Sequence, residues 1–95
     1  MEQAIEHQEN GTDGAFYVQK EGQRLAVITY RRTDPSTVTV DHTEVDASLR
    51  GLGVGQELVA ALVQWARAAD IKVVPVCSFA KARFDDDASI RDVLA

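Results

Sequence analysis

The stretch "HTEVDASLRGLGVGQELVAAL", residues 42–62, sets Gly51, Gly53 and Gly55 within five positions and follows them at once with an apolar segment of helical spacing. Just before it, "TVTV" (37–40) alternates as a strand does, with Val38 and Val40 on one face and Thr37, Thr39 and Asp41 on the other. Strict alternation would carry His42, Glu44 and Asp46 onto the valine face and Val45 off it. A β-bulge between Asp41 and Val45 is therefore expected to reset the parity. After the glycines, Leu58, Val59, Leu62, Val63, Trp65, Ala66 and Ala69 mark the apolar face of a helix from about Gly55 to Ala69. The glycine run is thus a strand-to-helix turn, and this strand–turn–helix unit organises the rest of the chain.

Working outward, "AIEHQE" (4–9), "AFYVQK" (15–20) and "RLAVITYRR" (24–32) read as three earlier strands. They are divided by "NGTDG" and by a tight turn at Glu21-Gly22, and "TDPS" closes the third. "IKVVPVC" (71–77) is a fifth strand whose Pro75 lacks an N–H, so it either forms an edge or parts from its neighbour near its end. "SFAKARF" (78–84) reads as a helix, and Asp86 or Asp87 is placed to cap a last short one. The order β-β-β-β-α-β-α predicts an α/β (α+β) domain with a mixed sheet. Four antiparallel meandering strands precede one right-handed β-α-β crossover with parallel ends.

A helix N-terminus carries unpaired N–H groups and partial positive charge, and glycines let an anion approach them closely. Arg50, directly before the turn, adds a charged donor. The turn therefore points to a phosphate or pyrophosphate. A nucleoside triphosphate loop would need Lys-Ser/Thr after its last glycine, and none follows. A dinucleotide fingerprint would need a third glycine where Gln56 stands, and an acid ending the next strand, whereas Asp70 precedes it. A turn that only permits tight strand–helix packing stays open at this point.

"Arg50-Gly51-Leu52-Gly53-Val54-Gly55" resembles the Arg/Gln-x-x-Gly-x-Gly/Ala signature of the GNAT acyltransferase superfamily. "HTEVDASLRGLGVGQELV" and "KVVPVCSF" are similar to two stretches of its minimal group, chains of roughly one hundred residues described as N-acetyltransferase-domain-containing proteins, and the strand order matches throughout. The resemblance implies an acetyl-CoA (coenzyme A) site at Val45 and at Arg50, Gly51, Leu52, Gly53, Val54, Gly55 and Gln56, with backbone N–H groups around Leu52 to Gln56 cradling the pyrophosphate. It also implies that strands four and five splay into a V for the pantetheine arm. Larger members carry two helices between strands one and two, and often a tyrosine acid after strand five. Here only "NGTDG" joins those strands, and Phe79 and Phe84 stand in a tail without tyrosine. The acceptor site is therefore open or borrowed.

Acyl transfer from a thioester to an amine is helped by a base near the reacting atoms. His42 and Glu44 precede the turn and are the candidate bases; the competing reading makes His42 a satisfied, half-buried polar residue and Glu44 either a solvated side chain or a partner for Arg50. Asp46 reads as a loop or capping residue. Cys77 ends strand five on the other arm of the V, at the start of a helix whose N-terminus favours a thiolate. It is a candidate covalent acyl acceptor, or else a small core hydrophobe.

The chain has 95 residues, 45% hydrophobic and 26% charged, with a net charge of -5, so one domain over 1–95 is expected. Without a Lys/Arg cluster, nucleic acid and anionic membranes are not expected partners. No apolar run reaches the ~20 residues of a membrane span. "MEQAIEHQEN" does not read as a signal peptide, and a single cysteine fits a cytoplasmic protein. No metal site is expected, and a monomer or weak dimer is. Two main readings follow. One is an acetyl-CoA-dependent N-acyltransferase acting on a small amine or exposed lysine. The other is a CoA-binding or cysteine-acylated carrier module without efficient turnover. A phosphate-binding fold unrelated to CoA is a distant third.

Overall fold

The computed structural model describes residues 4–95; Met1, Glu2 and Gln3, where the acidic start of the chain falls, lie outside the described residues. Five strands form one sheet in the order β1 (Glu6–Asn10), β2 (Asp13–Lys20), β3 (Gln23–Asp34), β4 (Thr37–Val45) and β5 (Lys72–Pro75). The first four pair antiparallel, each with its chain neighbour. Two-residue turns do this, as at Glu21-Gly22, where both residues have positive φ (53° and 77°) and Lys20 faces Gln23. β5 pairs parallel with β4, and helix α1 (Val54–Ala69) makes the crossover. Helix α2 (Ser78–Asp86) follows, then a 3₁₀ turn over Ala88–Val93 capped by Asp87.

The core lies between one sheet face and α1. Phe16, Val18, Ala26, Ile28, Tyr30, Val38 and Val40 of the sheet meet Leu58, Val59, Leu62, Val63 and Ala66 of the helix, all buried. These are the apolar positions of a 3.6-residue period set against those of a period of two, so one stripe covers one face. Trp65 is half-buried at the edge of this contact, and Ala69 is exposed. Phe84 and Ala80 of α2 complete the same core.

The bulge falls at Asp41. Tyr30 pairs with Val40, but Thr29 pairs with His42, so Asp41 is the extra residue. Its effect on burial is direct: Asp41, His42 and Glu44 are exposed, whereas Thr43 and Val45 are half-buried. Parity is reset as the spacing required.

β5 lies at the sheet edge and also parts from β4. The last rung joins Val40 and Pro75; beyond it, both Val76 N–H and Cys77 N–H turn onto the Val40 carbonyl (2.9 and 3.1 Å). β4 runs five residues further with β3 on one side and no strand on the other. The outer edge of β5 is closed by the C-terminus, where Ala95 N–H donates to the Val73 carbonyl at 3.0 Å. That tail is tied down by a two-pronged Arg67–Asp92 pair (2.7 and 2.9 Å).

At the other edge, His7 of β1 stacks on Phe16 (centroids 4.1 Å apart) and meets the edge of Trp65. Its Nε2 lies 2.7 Å from Tyr30 Oη. Burial lowers the His7 pKa below 6.5; Glu9 opposes this and Arg32 reinforces it. A histidine shifted down on folding binds fewer protons in the native than in the unfolded state. Its contribution is therefore complete above pH 6.5 and is lost as pH falls from there through the lowered native value. Denaturant unfolding should show stability declining with acid across that window, and His7→Gln should flatten that part of the curve. An unchanged slope in His7→Gln would assign the acid loss to the carboxylates.

Candidate functional site

A cleft of about 680 Å³ opens where β4 outruns β5. One wall is β4 from Thr43 to Val45; the other is the turn into α1, with Arg50, Gly51 and Gly53 to Gln56, and Phe79 closes one end. Asp46 N–H donates to the Leu25 carbonyl on β3 (2.6 Å). By antiparallel alternation, Thr43 and Val45 then direct their own N–H and C=O away from β3, to the open side. The Val45 carbonyl accepts from Arg50 Nε at 3.2 Å, which fixes that side chain beside the turn.

The turn itself is built from positive φ angles. Gly51 has φ +82° and Gly53 φ +76°, a region that costs a β-carbon dearly. Gly53 caps α1 with no side-chain hydrogen bond, and the helix opens with Glu57 N–H donating to the Gly53 carbonyl (3.1 Å). The N–H groups of Val54, Gly55 and Gln56 therefore have no intrahelical acceptor. Beyond its chain neighbours, only Gln56 Oε1, at 3.9 Å, lies within 4 Å of a β-carbon built on Gly53, so the cleft is open beside this residue. Gly55 has a different reason: a β-carbon there would sit 2.7 Å from Phe79 Cζ. The first turns of α1 and α2 are packed together at that point.

All the expected cosubstrate residues but Leu52 line this cleft; Leu52 is 59% exposed. The expected catalytic residues are divided between two sides. His42 and Glu44 stand on the sheet face that α1 does not cover, with His42 Nε2 3.2 Å from Glu44 Oε2. His42 is exposed rather than half-buried; Glu44 is solvated, as one alternative had it, and lies beside His42 rather than Arg50. Cys77 is half-buried at the N-cap of α2, where its Sγ accepts from Ala80 N–H (3.4 Å). The residue facing it across the V is Thr43, with Oγ1 3.3 Å from Sγ, and not His42. Asp46 caps the 3₁₀ turn Ala47–Leu49 and binds Ser48 through both hydroxyl and N–H, which hold its carboxyl below the usual carboxylate range. Among the described residues no group of acids, histidines and cysteine is arranged to hold a metal ion, and no helix is long and apolar enough to cross a membrane.

Three lining residues were not legible in the sequence: Thr43, Leu49 and Phe79. Thr43 reads as an ordinary strand residue unless the bulge is placed to the residue. Phe79 was visible only as an aromatic at the wrong chemistry for an acid, although a glycine inside a helix at Gly55 signals the close approach of some other element.

A family model described as GCN5-related N-acetyl-transferase matches residues 15–93. A GCN5-like protein from Staphylococcus aureus is 37% identical, with a TM-score of 0.73, over 95% of this chain and 87% of that one. Ribosomal-protein-alanine N-acetyltransferase from Brucella melitensis shares the fold at 18% identity and a TM-score of 0.62, over 82% of this chain and 64% of that one. A GNAT-family acetyltransferase from Elizabethkingia anophelis, solved with acetyl-CoA bound, does so at 12% identity and 0.61, over 80% and 52%. A search of curated proteins finds no match. The chain belongs to the GCN5-related N-acetyltransferase family, and membership of that family supports transferase activity.

Proposed function

We propose that the protein is an acetyl-CoA-dependent N-acyltransferase acting on a primary amine, either a small molecule or an exposed lysine. One observation carries this reading: a single cleft joins the uncapped N-terminus of α1 to the open edge of β4. In this reading the pyrophosphate sits on the N–H groups of Leu52 to Gln56 with Arg50 alongside. The pantetheine amides then extend β4 along Thr43 and Val45, as an added strand would. The thioester lies in the V. The amine arrives from the uncovered sheet face, where His42 takes its proton and Glu44 orients the imidazole.

The Thr43–Cys77 contact favours a second reading, in which Cys77 takes the acetyl group before any amine does. The step balances without outside reagents. The Sγ–H bond and the CoA sulfur–carbonyl bond break, an Sγ–carbonyl bond and a CoA S–H bond form, and the proton passes from one sulfur to the other.

The first reading is tested with acetyl-CoA and a panel of primary amines and lysine peptides, followed by mass measurement. Alanine at His42 or at Glu44 should lower turnover by about 10²-fold, and His42→Ala should also remove the fall in rate on the acid side. Full turnover with the same pH profile in both variants would overturn the assignment of a base.

A further inference from the structure

We infer that Thr43 is a positioning residue for the Cys77 sulfur. This rests on Cys77 being the acyl-accepting group of the site proposed above. The Sγ atom has two hydrogen-bonding neighbours, and they come from opposite arms of the V: Thr43 Oγ1 from β4 at 3.3 Å and Ala80 N–H from the first turn of α2 at 3.4 Å. Among the described residues, the Thr43–Cys77 contact is the one side-chain hydrogen bond that spans the arms beyond the Val40–Pro75 rung.

The chemistry of the two neighbours differs. A backbone N–H only donates. A hydroxyl donates and accepts, so it takes the S–H of the thiol and turns to donate once that proton has left. The sulfur thereby keeps a partner on each side through the change that makes it a nucleophile. Strand geometry alone does not call for threonine here, because valine has the same shape and suits a half-buried strand equally well. The bulge at Asp41 is what turns this residue, rather than His42, toward Cys77.

The test compares wild type, Thr43→Val and Thr43→Ser. Cys77 is the only cysteine, so alkylation by iodoacetamide at fixed pH reads it directly and does not involve acetyl-CoA. Thr43→Val should slow alkylation about tenfold, as loss of one hydrogen bond to the reacting sulfur would. With acetyl-CoA, the rate of Cys77 acetylation at saturation should fall similarly while the half-saturating concentration holds. Thr43→Ser should restore both rates, and thermal unfolding should confirm that all three chains are folded. Alkylation of Thr43→Val at the wild-type rate overturns the inference, as does a serine variant as slow as valine. A wild type that never takes an acetyl group, but shows the alkylation pattern above, overturns the acyl-accepting role and leaves Thr43's hold on the sulfur standing.

Discussion

Gly53→Val is expected to abolish useful binding of CoA. Two effects act together. The backbone at Gly53 has φ +76°, where a β-branched side chain is strained, so the turn must distort to admit one. If it does not distort, a β-carbon meets only Gln56 Oε1, at 3.9 Å, beyond its chain neighbours, and the added side chain takes space in the cleft that Gly53 lines. Either way the backbone N–H groups lose a charged partner. The expected loss is at least ~2 kcal/mol, or about 30-fold in Kd. Calorimetric titration with CoA measures it, and thermal unfolding of the free variant separates a blocked site from an unfolded one. Equal CoA affinity in a folded Gly53→Val would remove the turn from the binding site.

The other large effect concerns Cys77. Mixed with acetyl-CoA, the protein should gain one acetyl group, about 42 Da, on Cys77, and hydroxylamine should remove it as it does a thioester. Cys77→Ser should bind CoA as the wild type does and stay unmodified. The exchange converts one alkyl thioester into another, so it is close to isoenergetic, and excess free CoA should strip the acetyl group again. Reversal by CoA separates this reaction from chemical acetylation of a lysine, whose amide does not return. An adduct on lysine, or a wild type unmodified over hours, would leave Cys77 with the core that it already touches.

Much of this architecture was legible in the residues. Period-two alternation, paired turn residues and one amphipathic segment place every strand and both helices, and Pro75 foretells that β5 does not stay bonded to β4. The glycine turn was legible as a tight strand-to-helix turn because its geometry is that of the backbone, which local sequence dictates. The catalytic side was less so. His42 and Glu44 are near Cys77 in the folded chain, yet they face the other side of the sheet, and only the position of the bulge decides that. A bulge located to within four residues does not say which of His42 and Thr43 meets the sulfur. The Phe79–Gly55 contact depends on how two helices meet, which no local pattern encodes.

The single extra residue at Asp41 has a further consequence, for how the gene can change length. Loops commonly absorb insertions and deletions, and here a strand does so too, because loss of codon 41 would remove the one residue that has no partner of its own on β3. Removing Asp41 would leave Val40 opposite Tyr30 and His42 opposite Thr29 as successive rungs of a regular ladder, with His42 and Glu44 still outward and Thr43 and Val45 still inward. The costly change is to straighten the bulge with every residue kept, which would turn the Glu44 carboxylate to the covered face, and an unpaired carboxylate there costs more than most domains of this size can spare. In this segment the fold holds one residue in reserve, and a deletion at the bulge is the length change that its register accommodates.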